Sequence, residues 1–194
     1  SAADPGFAII GYGKLGGIEL GYKSDLDMVF IRDIDDSMTE GDHSVPCSMF
    51  YQRLVQRLLH LSTTRMSGGV LYDLDMRLRP DGDSGMLVTD TAAFEAYQEK
   101  RAWTWEHQAL VRARPIAGSH KVMDRFEDIR SKVLRMPRDD EKLKQDVFAM
   151  RCKMRDHLDR SGKTLFDLKQ GRGGMVDIEF IAQYLLLREA PKHP

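Results

Sequence analysis

The sequence predicts an α+β fold, a small mixed sheet with flanking helices followed by a helical region. Two observations carry that expectation. Short apolar runs bounded by glycine, proline or acidic residues cluster in the first half of the chain. After Gly82, apolar residues recur mainly at helical spacing. Strands first and helices later is the pattern of an α+β chain, and no internal repeat or low-complexity segment disturbs it.

Phe7-Ala8-Ile9-Ile10 reads as a buried strand ending at Gly11, and Leu26 to Arg32 as a second. The acidic stretch Asp33-Ile34-Asp35-Asp36 then reads as a solvated loop, because the rest of a calcium-binding loop is missing. Phe50, Leu54, Val55, Leu58, Leu59 and Leu61 mark a helix. Gly68-Gly69 breaks the chain before a third strand over Val70 to Leu78, which Pro80 closes. Thr89 or Thr91 is placed to cap a helix through Lys100, and Trp103 to Arg112 is also helical. Core packing is the expected use of one of Trp103 and Trp105. Longer helices are expected over 119–135 and 139–160, a short strand over Thr164–Lys169, and a last helix over Val176–Glu189 after Gly173-Gly174. The chain thus divides into a core over residues 1–118 and a mainly helical extension over 119–194 that returns a short strand to the core.

Composition narrows the class. With 42% hydrophobic and 30% charged residues the 194-residue chain is an ordinary soluble globular protein. A formal net charge of -1 argues against a general nucleic-acid binder. Cys47 and Cys152 form no close-spaced motif, which points to a reducing compartment. No apolar run approaches a membrane span and no signal peptide opens the chain, so the cytoplasm is the expected location. The chain begins just before a strand and stops shortly after a helix, as an excised piece of something larger would.

The chemistry concentrates in Gly16-Gly17 and in Ser24-Asp25-Leu26-Asp27, which opens the second strand. Strand side chains alternate, so Asp25 and Asp27 project from one face. Two neighbouring carboxylates stay ionised together only with a cation between them. Hard cations such as Mg²⁺ are commonly held by paired carboxylates plus substrate phosphates, and glycines let backbone N–H groups approach those phosphates. In the third strand, Asp73, Asp75, Arg77 and Arg79 are also spaced by two. Paired beside the second strand, it supplies a third carboxylate. Spacing leaves Asp73 and Asp75 as alternatives, with Asp75 preferred because it sits deeper. Arg77 and Arg79 then lie where phosphate charge is greatest. Three carboxylates on adjacent strands suit a two-metal phosphoryl-type transfer. The bland reading is a set of solvated acidic strand ends and a cross-strand ion-pair ladder.

A sharper rival is the dinucleotide fingerprint Gly11-Tyr12-Gly13-Lys14-Leu15-Gly16, with Asp33 about twenty residues on. It leaves no room for a crossover helix between Gly17 and Ser24, and no role for Asp25 and Asp27. A Walker A loop fails for want of a lysine-serine pair. His60, His107 and His157 show no metal-ligand spacing and are expected at the surface or as caps. Asp177 and Glu179 fall in the first turn of the last helix. The helix dipole favours them there as well as any functional role would.

Together, Gly11 to Leu20, Ser24 to Asp27, Asp75-Met76-Arg77-Leu78-Arg79-Pro80, Trp105 to Arg114, and Gly173-Gly174 through Phe180 resemble the bacterial glutamine synthetase adenylyltransferase family. That family is a branch of the DNA polymerase beta-like nucleotidyltransferases, and the resemblance covers most of the chain. It implies a polymerase beta-like domain, ATP as substrate, and two Mg²⁺ ions held by Asp25, Asp27 and Asp75. Gly16, Gly17 and Ser24 would line the triphosphate; phosphate contact by Lys14, Arg77 and Arg79 is a physical inference beside it. The implied reaction transfers AMP to a tyrosine hydroxyl of glutamine synthetase in nitrogen assimilation, with Asp75 as base. A nitrogen-signalling regulatory protein would act through the full-length enzyme. The family carries two such domains, and Gly11 to Lys14, Tyr22-Lys23-Ser24 and Thr104 to Gln108 favour the adenylylating one. The alternatives are the copy that removes AMP by phosphorolysis and, more remotely, a nucleotide-binding regulatory module without turnover.

Overall fold

A computed structural model describes residues 4, 6–22, 24–33, 37–40, 42–65, 67–69 and 72–193. The acidic positions 34–36 and the start of the expected third strand at 70–71 lie outside these. The chain forms two compact units, Ser1–Ala102 with Arg112–Arg130, and Trp103–Val111 with Ser131–Pro194.

The first unit is built on a five-stranded mixed sheet. Strands β1 (Phe7–Gly11) and β2 (Leu26–Arg32) form where expected. They pair antiparallel, Ile9 opposite Phe30 and Ile10 opposite Val29. That direction excludes the dinucleotide-binding βαβ unit, which needs parallel strands. Between them lies only the four-residue helix α1 (Gly13–Gly16). Helix α2 (Cys47–Thr63) extends the predicted Phe50–Leu61 pattern. Its Tyr51 and Val55 pack with Phe7 and Phe30 in a buried cluster that also holds Met76 and Val88. Phe7 stacks on Tyr51 with ring centroids 5.1 Å apart.

The third strand is much shorter than predicted. Strand β3 is only Leu74–Asp75, parallel to β2, with Leu26 opposite Leu74 and Asp27 opposite Asp75. The chain turns at once, because the Asp75 carboxylate accepts from the Arg77 amide at 2.8 Å and Met76 O from the Arg79 amide at 3.2 Å. Arg77 and Arg79 therefore do not continue a strand face with Asp75. After this turn β4 (Val88–Asp90) pairs with the far end of β2, also parallel. Helix α3 (Thr91–Lys100) is capped by Asp90, whose carboxylate accepts from Ala92 N at 2.9 Å. Neither threonine is the cap; Thr91 instead donates to Asp33 at 2.9 Å. Strand β5 (Arg114–Gly118) covers the other edge of β1.

Helix α4 (Thr104–Leu110) belongs to the second unit with α6 (Asp140–Leu158) and α7 (Met175–Glu189), and α5 (His120–Leu134) runs between the stretches. The long helices match the sequence periodicity, and Asp139 caps α6 by accepting from Lys142 N. No strand forms over 164–169, which makes bends and turns. Asp167 takes the amides of Lys169 and Gln170, both at 2.9 Å, and so closes a local turn in place of a ladder. Trp103 is 70% exposed at the start of α4, so it is no core residue, and Trp105 is half-buried. His107 departs from expectation the other way: it is buried, with Nδ1 3.4 Å from the Arg138 guanidinium. Among the described residues no helix is long and apolar enough to cross a membrane.

Candidate active site

The register of β2 and β3 decides the centre of the site. Side chains on opposed residues of paired strands share a face. Met28 and Phe30 turn toward the α2 cluster, so Asp27 falls on the opposite face, with Asp75 directly across from it. Asp25 precedes β2 by one residue and is exposed. An open cleft of about 570 Å³ is lined by Asp25, Asp73, Asp75, Arg77 and Arg79 among others. Backbone pairing therefore brings three aspartates from distant parts of the sequence to one locality. Asp73 joins β3 through its carbonyl, which accepts from Leu26 N at 2.8 Å, while its side chain stays exposed.

The electrostatics separate the carboxylates. Burial, then repulsion from Asp75 and Asp25, raises the Asp27 pKa above its usual range, and Arg77 and Arg112 oppose that shift. The Asp75 pKa is lowered, chiefly because the Arg77 side chain hydrogen-bonds its carboxylate. That guanidinium makes a multiple contact, with Nε 2.9 Å from Oδ2. A carboxylate whose pKa is raised by its neighbours, beside another paired with an exposed arginine, is a place where a cation would relieve repulsion. Carboxylate oxygens suit a hard divalent ion, and Asp25, Asp27 and Asp75 are the residues that could hold it. Among the described residues no three such side chains are gathered into a ready-made metal cage.

The glycine segment lies against Asp27. Tyr12 N donates to Asp27 O at 2.9 Å, which seats α1 beside β2. Gly13 has φ +50, and a Cβ there would strike the Asp27 carboxylate. At Gly16 a Cβ would collide with the carbonyls of Arg112 and Gly11. Gly17 is half-buried, its Cα facing Glu19 and the Arg112 guanidinium. Lys14 is exposed on α1. Ser24 is buried, and its Oγ accepts from Gly21 N at 2.9 Å. Arg79 is buried too, donating to Met76 O at 2.8 Å and Asp83 O at 3.2 Å, so it pins the turn after β3.

Two contributors escape sequence reasoning. Arg112 acts on Asp27 and forms an ion pair with Glu19 at 2.5 Å, across 93 positions of sequence. Gly13 matters through its closeness to Asp27, where the dinucleotide pattern offered a different reason for it. The motif segment Gly173 to Phe180 is legible in structural terms: Asp177 accepts from Gly173 N at 2.6 Å and from Arg151 Nε at 2.5 Å.

The family model for glutamate-ammonia ligase adenylyltransferase matches residues 1–129. A bifunctional glutamine synthetase adenylyltransferase/adenylyl-removing enzyme from Shewanella oneidensis is 53% identical over the whole of this chain. The chain spans about a fifth of that relative's length, 21%.

Proposed function

The chain belongs to the glutamate-ammonia ligase adenylyltransferase family, and from that footing we propose that it moves AMP from Mg·ATP to a tyrosine hydroxyl of glutamine synthetase. The observation that supports this most directly is the in-register pairing of Asp27 with Asp75 beside the glycine turn. In this reading Asp25, Asp27 and Asp75 hold Mg²⁺, two ions in the full reaction. Gly16, Gly17 and Ser24 line the triphosphate, and Lys14 approaches it from α1. The residues of the 1–118 core carry the chemistry; the 119–194 extension supports it. Cytoplasmic location and control by a nitrogen-signalling regulatory protein, through the full-length enzyme, belong to the same reading.

Each residue has a defined task. Bound Mg²⁺ would supply charge neutralisation of the triphosphate and a lower pKa for the attacking hydroxyl. Arg77 is exposed, and Asp75 is the acid it holds. A triphosphate in the cleft draws that guanidinium from the carboxylate to phosphate oxygen, a bidentate exchange arginine makes readily. Released from Arg77, Asp75 regains basicity and accepts the tyrosyl proton as the oxygen attacks the α-phosphorus. Pyrophosphate leaves in line. Arg79 lines the same cleft, where it pins this turn through Met76 O and Asp83 O and adds positive charge for phosphate. Most of the rate enhancement comes from positioning and fixed charge.

Asp27→Asn or Asp25→Asn in the intact enzyme should abolish transfer of labelled AMP to glutamine synthetase while the circular dichroism spectrum is unchanged. Transfer retained in both would remove the basis for the assignment. The relative's name also includes adenylyl removal, so the reverse direction is a second reading. Adenylylated glutamine synthetase with orthophosphate yields ADP if this chain is the removing copy, and none if it is the adenylylating one.

A further inference from the structure

The residues that lead into β5 grip the glycine turn from below. Gly11 pairs with Arg114 across the sheet edge, and Arg114 Nε donates to Gly16 O at 3.1 Å. Arg112 then reaches over Gly17. Its Nε and Nη2 lie 3.2 Å from the point that a Cβ on Gly17 would occupy, and Glu19 Oε1 lies 3.0 Å from the same point. The two side chains are joined there, Arg112 Nη2 donating to Glu19 Oε2 at 2.5 Å. The backbone sets Glu19 at this spot through a Schellman ending of α1, with Glu19 N donating to Lys14 O at 2.8 Å and Ile18 N to Leu15 O at 3.4 Å. Glycine is usual at the left-handed position of that motif, yet Ile18 holds it here with φ +60, under strain. A strained turn thus places an anion over the bare face of a glycine. The guanidinium beside it also acts on Asp27.

We propose that Arg112 is a further triphosphate-binding residue, and that Glu19 holds its guanidinium as a stand-in anion which phosphate displaces. In the nucleotide reading above, on which this rests, Gly16 and Gly17 line the triphosphate. A phosphate lying against Gly17 enters the ground that the Glu19 carboxylate now holds, and two anions in one place repel each other. Arginine exchanges one oxyanion for another readily, because carboxylate and phosphate both match its planar fork. The carboxylate is the partner that leaves: the Glu19 side chain is 59% exposed and that of Arg112 only 22%. Glu19 regains water on departure, while Arg112 stays where the fold holds it. In the absence of nucleotide the pair keeps a cation in place over the glycine, and it sets a threshold that the triphosphate must overcome.

The test is calorimetric titration of the full chain with Mg·ATP. Glu19→Gln keeps the shape of the side chain and removes the competing charge. It should tighten Mg·ATP binding about two- to fivefold, the range for a competitor held by an ion pair this exposed. Arg112→Gln should weaken binding about tenfold or more. In the Arg112→Gln background, Glu19→Gln should no longer change the affinity, since nothing is left to compete for; this cycle separates competition from a general effect of charge. A merely structural tie gives the opposite sign, because Glu19→Gln then loosens the glycine turn and weakens binding. Unchanged or weakened binding in Glu19→Gln overturns the proposal, as does an equal gain with Arg112 already replaced. Should Arg112→Gln fail to fold, the sign of the Glu19→Gln shift still decides. A parent chain that binds no Mg·ATP removes the nucleotide reading and this assignment with it, whereas binding without AMP transfer removes the transfer step alone.

Discussion

Asp27 shows how one side chain at a candidate site can cost stability. Its pKa is raised by burial and by the repulsion of Asp75 and Asp25. A raised folded-state pKa stabilises the fold at acid pH, where the carboxyl is protonated in both states. That stability is lost as pH rises through the folded pKa. Asp27→Asn should therefore raise the melting temperature of the metal-free chain at pH 7, with EDTA present. The gain should shrink toward zero near pH 3, where Asp27 is itself neutral. Melts at both pH values check the sign; a lower melting temperature at pH 7 would contradict the repulsion. The pair Asp25 and Asp27 was legible in the sequence because a period of two is local. Arg112 was not, because nothing along the chain announces a partner 93 positions away.

Among the elements, the short β3 and the Gly173 motif are the instructive cases. Alternation of Asp73, Asp75, Arg77 and Arg79 predicted one long strand, but Asp75 captures the Arg77 amide and ends the ladder after two residues. Local side-chain hydrogen bonding of this kind competes with strand pairing, and only the folded contacts decide the winner. At the start of α7 the outcome is structural. Arg151 is buried, donates to Gln170 O at 2.7 Å and is paired with Asp177. Asp177→Ala should cost about 2–3 kcal/mol, since it strands a buried guanidinium. The exposed neighbour substitution Ile178→Ser should cost under about 0.5 kcal/mol. Urea midpoints of the two variants measure the difference, and equal midpoints would show that the ion pair adds nothing.

For the molecule as a whole, ligand linkage offers a test that needs no acceptor protein. If Asp25, Asp27 and Asp75 hold Mg²⁺ against ATP, the nucleotide at a hundred times its Kd should stabilise the chain by about 2.7 kcal/mol. For a chain of this size that is a rise in Tm of about 5–10 °C. ATP with EDTA should give much less, because the carboxylates then repel the phosphates; equal shifts with and without Mg²⁺ would count against the metal assignment. The fold class, most helices, the first two strands and the carboxylate–glycine grouping could all be read from residue order. They depend on periodicity, on turn residues and on motif combinations, which are short-range properties of the chain. The folded coordinates alone settled that β1 and β2 run antiparallel, that Asp27 faces Asp75, and that Arg77 guards Asp75 while Arg79 pins a turn. Those outcomes depend on which distant segments pair, and pairing is selected by the buried cluster of Phe7, Phe30, Tyr51 and Met76 rather than by any one segment's own preferences.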